Sequence, residues 1–204
     1  MRVHALVLAA GQGKRFGGDK LHAPFRGRPL LSHALDVVAE GCRRRVFDNG
    51  HVVIAVDDEA AHAQCQKVGL TAVLNDAPGL GLSHSLRLGL AAIGESTPNE
   101  RGAALIFLGD QPLVRLEVTE KVIATFWSSG AAAVRPRYLA HPHIPGHPIL
   151  LDRSIWQLAR GLQGDRGLAG LLSASVETLT VDVPGDNPDV DTLADLHALE
   201  EPSQ

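Results

Sequence analysis

Between positions 11 and 20 the chain places four glycines, Gly11, Gly13, Gly17 and Gly18, among three cations, Lys14, Arg15 and Lys20. Glycine turns sharply and lets backbone N–H groups approach an anion with no Cβ in the way. Three cations on the same loop add charge, so the predicted guest is a polyphosphate. The loop misses two common nucleotide fingerprints. Gly18 is followed by Asp19-Lys20-Leu21, without the hydroxyl of a Walker loop, and Phe16 stands where a dinucleotide motif needs its third glycine.

A second chemical residue is Asp110, in Leu108-Gly-Asp-Gln-Pro112. A triphosphate brings Mg²⁺, a hard cation that keeps most of its waters and needs only one or two protein carboxylates. Asp110 suits that task, or else caps the next helix or closes an Asx turn with Gln111 and Pro112. Asp182, Asp186, Asp189 and Asp191 crowd a later segment; one of them is a candidate second ligand, and Asp189 or Asp191 a candidate helix N-cap. The histidines of Ala140-His-Pro-His-Ile-Pro-Gly-His-Pro148 are separated by prolines and lack nearby cysteine, which disfavours a tetrahedral zinc site. Trp127 and Trp156 are expected in the core, while Phe16 could flank a base or pterin.

The elements that must position these residues alternate. Apolar runs at Val3 to Ala10, His51 to Val56, Thr71 to Leu74 and Ala103 to Leu108 read as strands. Helical spacing marks Leu30 to Gly41, Glu59 to Val68, a segment capped by Ser83 or Ser85 that runs to Ile93, and Val114 to Trp127. Ala131 to Val134, Ile149 to Leu151 and Glu177 to Val183 are further strands. Ser154 to Arg160, Leu168 to Leu172 and Val190 to Leu199 are further helices, and Arg135 to Pro148 shows no regular pattern. Such alternation implies an α/β fold of three layers, α/β/α, around a mainly parallel sheet. In such sheets ligands sit beyond the carboxyl ends of the strands, where the glycine loop, Asp57 and Asp58, and Asp110 all fall.

The 204 residues suit one domain, 1–204. With 19 Lys+Arg against 23 Asp+Glu the net charge is −4, which does not attract nucleic acid or an anionic membrane. No stretch approaches the roughly 20 apolar residues of a membrane span, and two cysteines, Cys42 and Cys65, are too few for a disulfide framework. A cytoplasmic protein is expected.

Leu8-Ala-Ala-Gly-Gln-Gly-Lys-Arg-Phe-Gly-Gly-Asp-Lys-Leu21 closely resembles the signature loop of nucleotidyltransferases with a Rossmann-like, glycosyltransferase-A-like fold, and most of all the molybdenum cofactor cytidylyltransferases and guanylyltransferases. Gly79-Leu-Gly-Leu-Ser-His-Ser-Leu86, Gly109-Asp-Gln-Pro112, Gly146-His-Pro148, Gly164-Asp-Arg-Gly167 and Asp189-Val-Asp-Thr192 are similar to further motifs of the same family, in the same order. The resemblance implies that Leu8, Ala9, Ala10, Gly11, Gln12 and Gly13 bind the nucleotide. It puts Lys14 and Arg15 on the β- and γ-phosphates, Lys20 on the α-phosphate, and Asp110 with Asp191 on Mg²⁺. Ser83, Ser85, His147 and Asp165 would face the acceptor. Leu-Ala-Ala-Gly accompanies cytidylyl transfer in that family and Leu-Ala-Gly-Gly guanylyl transfer, so CTP is favoured over GTP. The implied partners are CTP or GTP, a phosphorylated pterin acceptor, and a molybdenum hydroxylase that receives the product. Leu80 and Leu82 depart from the family's Met and small residues, and Leu193-Ala194 from its Pro-Glu. The competing readings are guanylyl or sugar-phosphate nucleotidyl transfer, an NAD(P)H-dependent reductase of the nicotine blue oxidoreductase type, and a non-catalytic chaperone for the mature cofactor.

Overall fold

A computed structural model describes residues 2–98, 101–166, 172 and 176–200. The first strand, β1 (Arg2–Ala9), runs between β4 (Asn49–Ala55) and β6 (Gly102–Leu108), parallel to both, with Val7 opposite Val52 and Phe107. The seven-stranded sheet is completed by β5 (Thr71–Asn75), β7 (Ala133–Tyr138), β8 (Ile149–Asp152) and β9 (Thr178–Val183), in the order β5-β4-β1-β6-β8-β7-β9. β8 runs antiparallel to β6 and β7, whereas the remaining pairs are parallel.

Successive side chains of β1 point to opposite faces and build two cores. Val3, Ala5, Val7 and Ala9 meet Leu31, Leu35 and Val38 of α1 (Leu30–Arg43), Ala61 and Cys65 of α2 (Glu59–Val68), and Val122 and Phe126 of α4 (Leu116–Ser129). Leu6, Leu8 and Ala10 meet Leu86, Leu90 and Ile93 of α3 (Leu82–Ser96) and Trp156 of the 3-10 segment Arg153–Gly161. Each fully buried Val, Leu, Ile or Phe among these contributes about 1.5–3 kcal/mol on burial. Helices on both faces of a mostly parallel sheet are the three-layer arrangement expected from the alternation.

Several local expectations are corrected. β7 runs on into the segment read as patternless. Its pairing with β8 ends at Val134 while pairing with β9 continues to Tyr138, so Pro136 sits where one side of the strand needs no N–H. Neither serine caps α3: the helix starts at Leu82 after Gly81, and both serines are buried. Segment 153–161 is 3-10 rather than α-helical. Trp127 is 44% exposed, because the buried stripe of α4 runs through Val118, Val122 and Phe126 and the next residue turns away from it. Trp156 is buried, its Nε1 donating to the Leu151 carbonyl at 3.1 Å. The closing helix α5 spans Leu193–Glu200 rather than starting at Val190. Except for the buried Leu172, the helix expected at Leu168 to Leu172 lies outside the described residues. A short hairpin, β2 (Pro24–Phe25) with β3 (Arg28–Pro29), was not foreseen; it closes through Arg26 and Gly27, both with positive φ.

Candidate active site

A cleft of about 440 Å³ opens at the carboxyl ends of β1 and β6. Leu8, Ala9, Ala10, Gly11, Gln12, Gly13, Lys14, Arg15 and Lys20 line one wall, Ser85 and Asp165 another, and Asp110, Asp189 and Asp191 the floor. Every residue assigned to the nucleotide or to metal by resemblance thus meets in one cavity. Ser83 and His147 do not line it.

The loop after β1 closes on itself: the amides of Phe16 and Gly18 both donate to the Gly13 carbonyl, at 2.9 and 3.3 Å. Gly13, Gly17 and Gly18 have φ of 56°, 93° and 113°, backbone that a side chain disfavours. Phe16 is half-buried against the cluster of Phe25, Leu30, Val190 and Leu196, which gives it a packing role and not that of an exposed platform. Lys20 follows on a 3-10 turn, Lys20–His22. His22 Nε2 meets Asp58 Oδ1 at 2.8 Å, and the same carboxylate caps α2 by accepting from Ala61 N at 2.9 Å. Asp58 therefore anchors the segment that carries Lys20.

Asp110 does not cap α4, whose start has no side-chain cap. Its carbonyl accepts from Val190 N at 3.0 Å, and this bond brings Asp189 and Asp191 beside it across nearly eighty residues of sequence. Neither of those two is an N-cap. Thr192 Oγ1 accepts from Asp195 N at 3.2 Å while Asp195 Oδ2 accepts from Thr192 N at 2.7 Å, a reciprocal cap that leaves both upstream carboxylates for the cleft. The Thr192 hydroxyl, which also donates to Asp195 Oδ2 at 2.9 Å, and then the Thr192 and Asp191 amides lower the Asp195 pKa.

The Lys20 ammonium lies between two carboxylates, 2.6 Å from Asp110 Oδ2 and 3.6 Å from Asp191 Oδ1, with its side chain only 11% exposed. Arg15 Nη1 reaches the other oxygen of Asp191 at 2.8 Å from a largely exposed position. Asp189 has its pKa raised, first by burial and next by the charge of Asp110, while a hydrogen bond from Gln111 opposes the shift. Asp110 and Asp191 already bracket one cation, so this donor pair fits a hard divalent ion that completes its shell with water and phosphate oxygens.

On the side facing α3, Ser85 Oγ accepts from the buried Asn75 Nδ2 at 3.0 Å, and Asp165 Oδ1 accepts from Leu82 N at 3.3 Å. Ser83 is buried and its Oγ has no partner among the described residues. His147 stands apart, half-buried, its pKa pushed down to about 3 by burial and by the neighbouring Arg135. Arg135 donates from Nε and Nη2 to the Gly146 carbonyl, and Tyr138 from its hydroxyl to the His147 carbonyl. Asn75, Gln111, Arg135 and Asn187 were not singled out from sequence. Asn75 closes β5 and Gln111 follows β6, within reach of the rule that ligands gather at strand ends, whereas Arg135 and Asn187 give no such signal.

The fold and the position of this cleft define an α/β nucleotidyltransferase architecture. The chain belongs to the MobA-like NTP transferase domain family, whose model matches residues 5–191. It is 30% identical over 132 residues to a probable molybdenum cofactor guanylyltransferase of Thermococcus gammatolerans, a match that spans 65% of this chain and 61% of that protein. It is 26% identical over 210 residues to nicotine blue oxidoreductase of Paenarthrobacter nicotinovorans, covering 97% of this chain and 96% of that one. Among solved structures, Rv0371c of Mycobacterium tuberculosis superposes with a TM-score of 0.79 at 27% identity over 98% of both chains. The same protein has been crystallised in complex with manganese (TM-score 0.77).

Proposed function

We propose that the protein transfers CMP from CTP to the terminal phosphate of molybdopterin, releasing pyrophosphate, with Mg²⁺ held by Asp110 and Asp191. The observation that carries this reading is the Lys20 ammonium set between those two carboxylates, beside a glycine loop that bears two more cations. An acceptor phosphate oxygen attacks the α-phosphorus, and the bond to the bridging oxygen breaks with its electron pair leaving on pyrophosphate. A phosphate monoester has a second pKa near ~6 and is largely deprotonated at neutral pH, so no general base is required. The divalent ion, when bound, neutralises charge on the phosphates.

The chain's own residues supply position and charge. Lys20 turns from Asp110 to the α-phosphate; Arg15 and Lys14 take the β- and γ-phosphates, offsetting charge as it moves to the leaving group. Leu8 to Gly13 bind the nucleotide, Ala9 to Gly13 embracing base and ribose, and the Leu8-Ala9-Ala10-Gly11 form supports CTP over GTP. Ser85 and Asp165, which line the cleft, and Ser83 and His147, which stand outside it, are assigned to the acceptor, and a molybdenum hydroxylase receives the product. Among the described residues no helix is long and apolar enough to cross a membrane, in keeping with a cytoplasmic site of action.

The test is calorimetric binding of CTP, GTP, ATP and NADPH, with and without Mg²⁺, to the purified protein and to Asp110→Asn. Metal-dependent preference for CTP, lost in the variant, is the expected result. A second reading, an NAD(P)H-dependent reductase, is favoured by the match of nicotine blue oxidoreductase over 97% of the chain. Metal-independent preference for NADPH would establish it in place of the transferase.

A further inference from the structure

A chain of buried amides joins the carboxylate floor of the cleft to the Gly146-His147-Pro148 turn. Asp189 Oδ1 accepts from Gln111 Nε2 at 2.6 Å. A carboxylate oxygen only accepts, so this contact fixes the Gln111 amide with Oε1 turned the other way. Oε1 then needs a donor, and Asn187 Nδ2 supplies it at 3.1 Å. The second Nδ2 hydrogen of Asn187 goes to the His147 carbonyl at 3.4 Å, where the Tyr138 hydroxyl also donates at 2.8 Å. Gln111 and Asn187 are 5% and 4% exposed, so water does not substitute readily for a lost link.

We propose that Gln111 and Asn187 are positioning residues that set the acceptor-side His147 turn relative to the carboxylates around Lys20. The proposal rests on the transferase reading, because it takes His147 to face the acceptor. Each link is directional: reversing either amide would set oxygen against oxygen, so the relay has one register. The Val190 to Asp110 backbone bond holds the cleft side of the same loop, and Arg135, on the Gly146 carbonyl, holds the turn from behind. Asn187 is the link between these two fixed ends. Its loss uncouples the His147 turn, which Tyr138 and Arg135 still hold, from the Asp110–Asp189 end.

The kinetic test varies CTP and the phosphorylated pterin separately in Asn187→Ala and Gln111→Leu. The KM for the acceptor is expected to rise about five- to tenfold, the size of one neutral hydrogen bond, with the dissociation constant for CTP within about twofold of the parent. An unchanged acceptor KM in a folded variant, or an equal rise for both substrates, overturns the proposal. Should the alanine variant not fold, Asn187→Asp keeps the volume but turns an acceptor toward two acceptors, and the same split is expected. A second arm needs no substrate: the His147 backbone amide resonance is compared between the parent and Gln111→Leu, whose lost side chain bonds Asn187 and Asp189. A displaced resonance supports the relay even if the parent transfers no nucleotide, in which case the transferase reading alone falls. An unmoved resonance overturns the relay whatever the activity.

Discussion

Asp110→Asn should act in opposite directions on metal-free binding and on turnover. In the free protein Asp110 holds Lys20 at 2.6 Å, with the two side chains 11% and 23% exposed. A unit charge pair at about 4 Å is worth roughly 4 kcal/mol at an effective dielectric near 20, before desolvation is subtracted. Exposed pairs net about 0–1 kcal/mol and breaking fully buried ones costs about 3–5 kcal/mol, so this partly buried pair falls between, near 1.5 kcal/mol. That quantity must be spent to turn Lys20 toward a phosphate. Neutralising Asp110 removes it and also removes a negative charge facing the triphosphate. CTP affinity measured in EDTA should therefore rise about tenfold in the variant. With Mg²⁺ present the parent should gain affinity and the variant should not, and turnover should fall by about 10²-fold or more. The assay is calorimetric titration of both proteins in EDTA and in Mg²⁺, followed by a pyrophosphate-release assay. Metal-free affinity no higher than the parent's would refute the competition for Lys20, and near-normal turnover would refute the metal assignment.

Three further outcomes are expected. Ala10→Gly converts the loop to the Leu-Ala-Gly-Gly form and should move preference from CTP toward GTP, read as the ratio of the two kcat/KM values; an unchanged ratio removes the loop as the determinant of the base. His147, held down to about 3 in the fold against an ordinary 6.5, binds fewer protons folded than unfolded between those values. Its share of stability is therefore present above about pH 6.5 and lost as the pH falls toward 3, a drain that His147→Gln should flatten in urea midpoints taken from pH 7 to 4. Thr192→Val removes the hydroxyl of the reciprocal cap and should cost about 1 kcal/mol, a fall of roughly 2–4 °C in Tm at this chain length. A variant as stable as the parent would show that α5 is held by packing alone.

The legible parts of the molecule were those written in local patterns. β1, β4 and β6 are near-continuous apolar runs because strands covered on both faces offer no polar side, and they and the edge strand β5 each lie within a residue or two of the expected bounds. α1 and α2 carry plain apolar stripes. The glycine loop announced itself through residue types that only an anion-binding turn requires at that density. Two of the failures share a cause, a partner distant in sequence. β7 continues through Pro136 because β9 pairs with it, and the start of α3 is set where Asp165 meets Leu82. The aspartates before α5 could not be sorted because Thr192, beside them, took the cap.

By itself the sequence determined the layered α/β fold and the chemical character of the cleft, since hydrophobic period and glycine–cation density are local quantities. It also determined that Asp110 stands at the end of the most apolar strand. The tertiary structure alone decided which carboxylates meet it: Asp189 and Asp191 arrive because the Asp110 carbonyl receives the Val190 amide, and Lys20, from near the start of the chain, settles between charges brought from its middle and its far end. It also decided that His147 would be held by amides and not placed in the cleft. Hydrogen bonds need contact at about 3 Å and charge pairs are screened beyond about 10 Å, and no spacing along the chain encodes a separation that only the packed sheet creates.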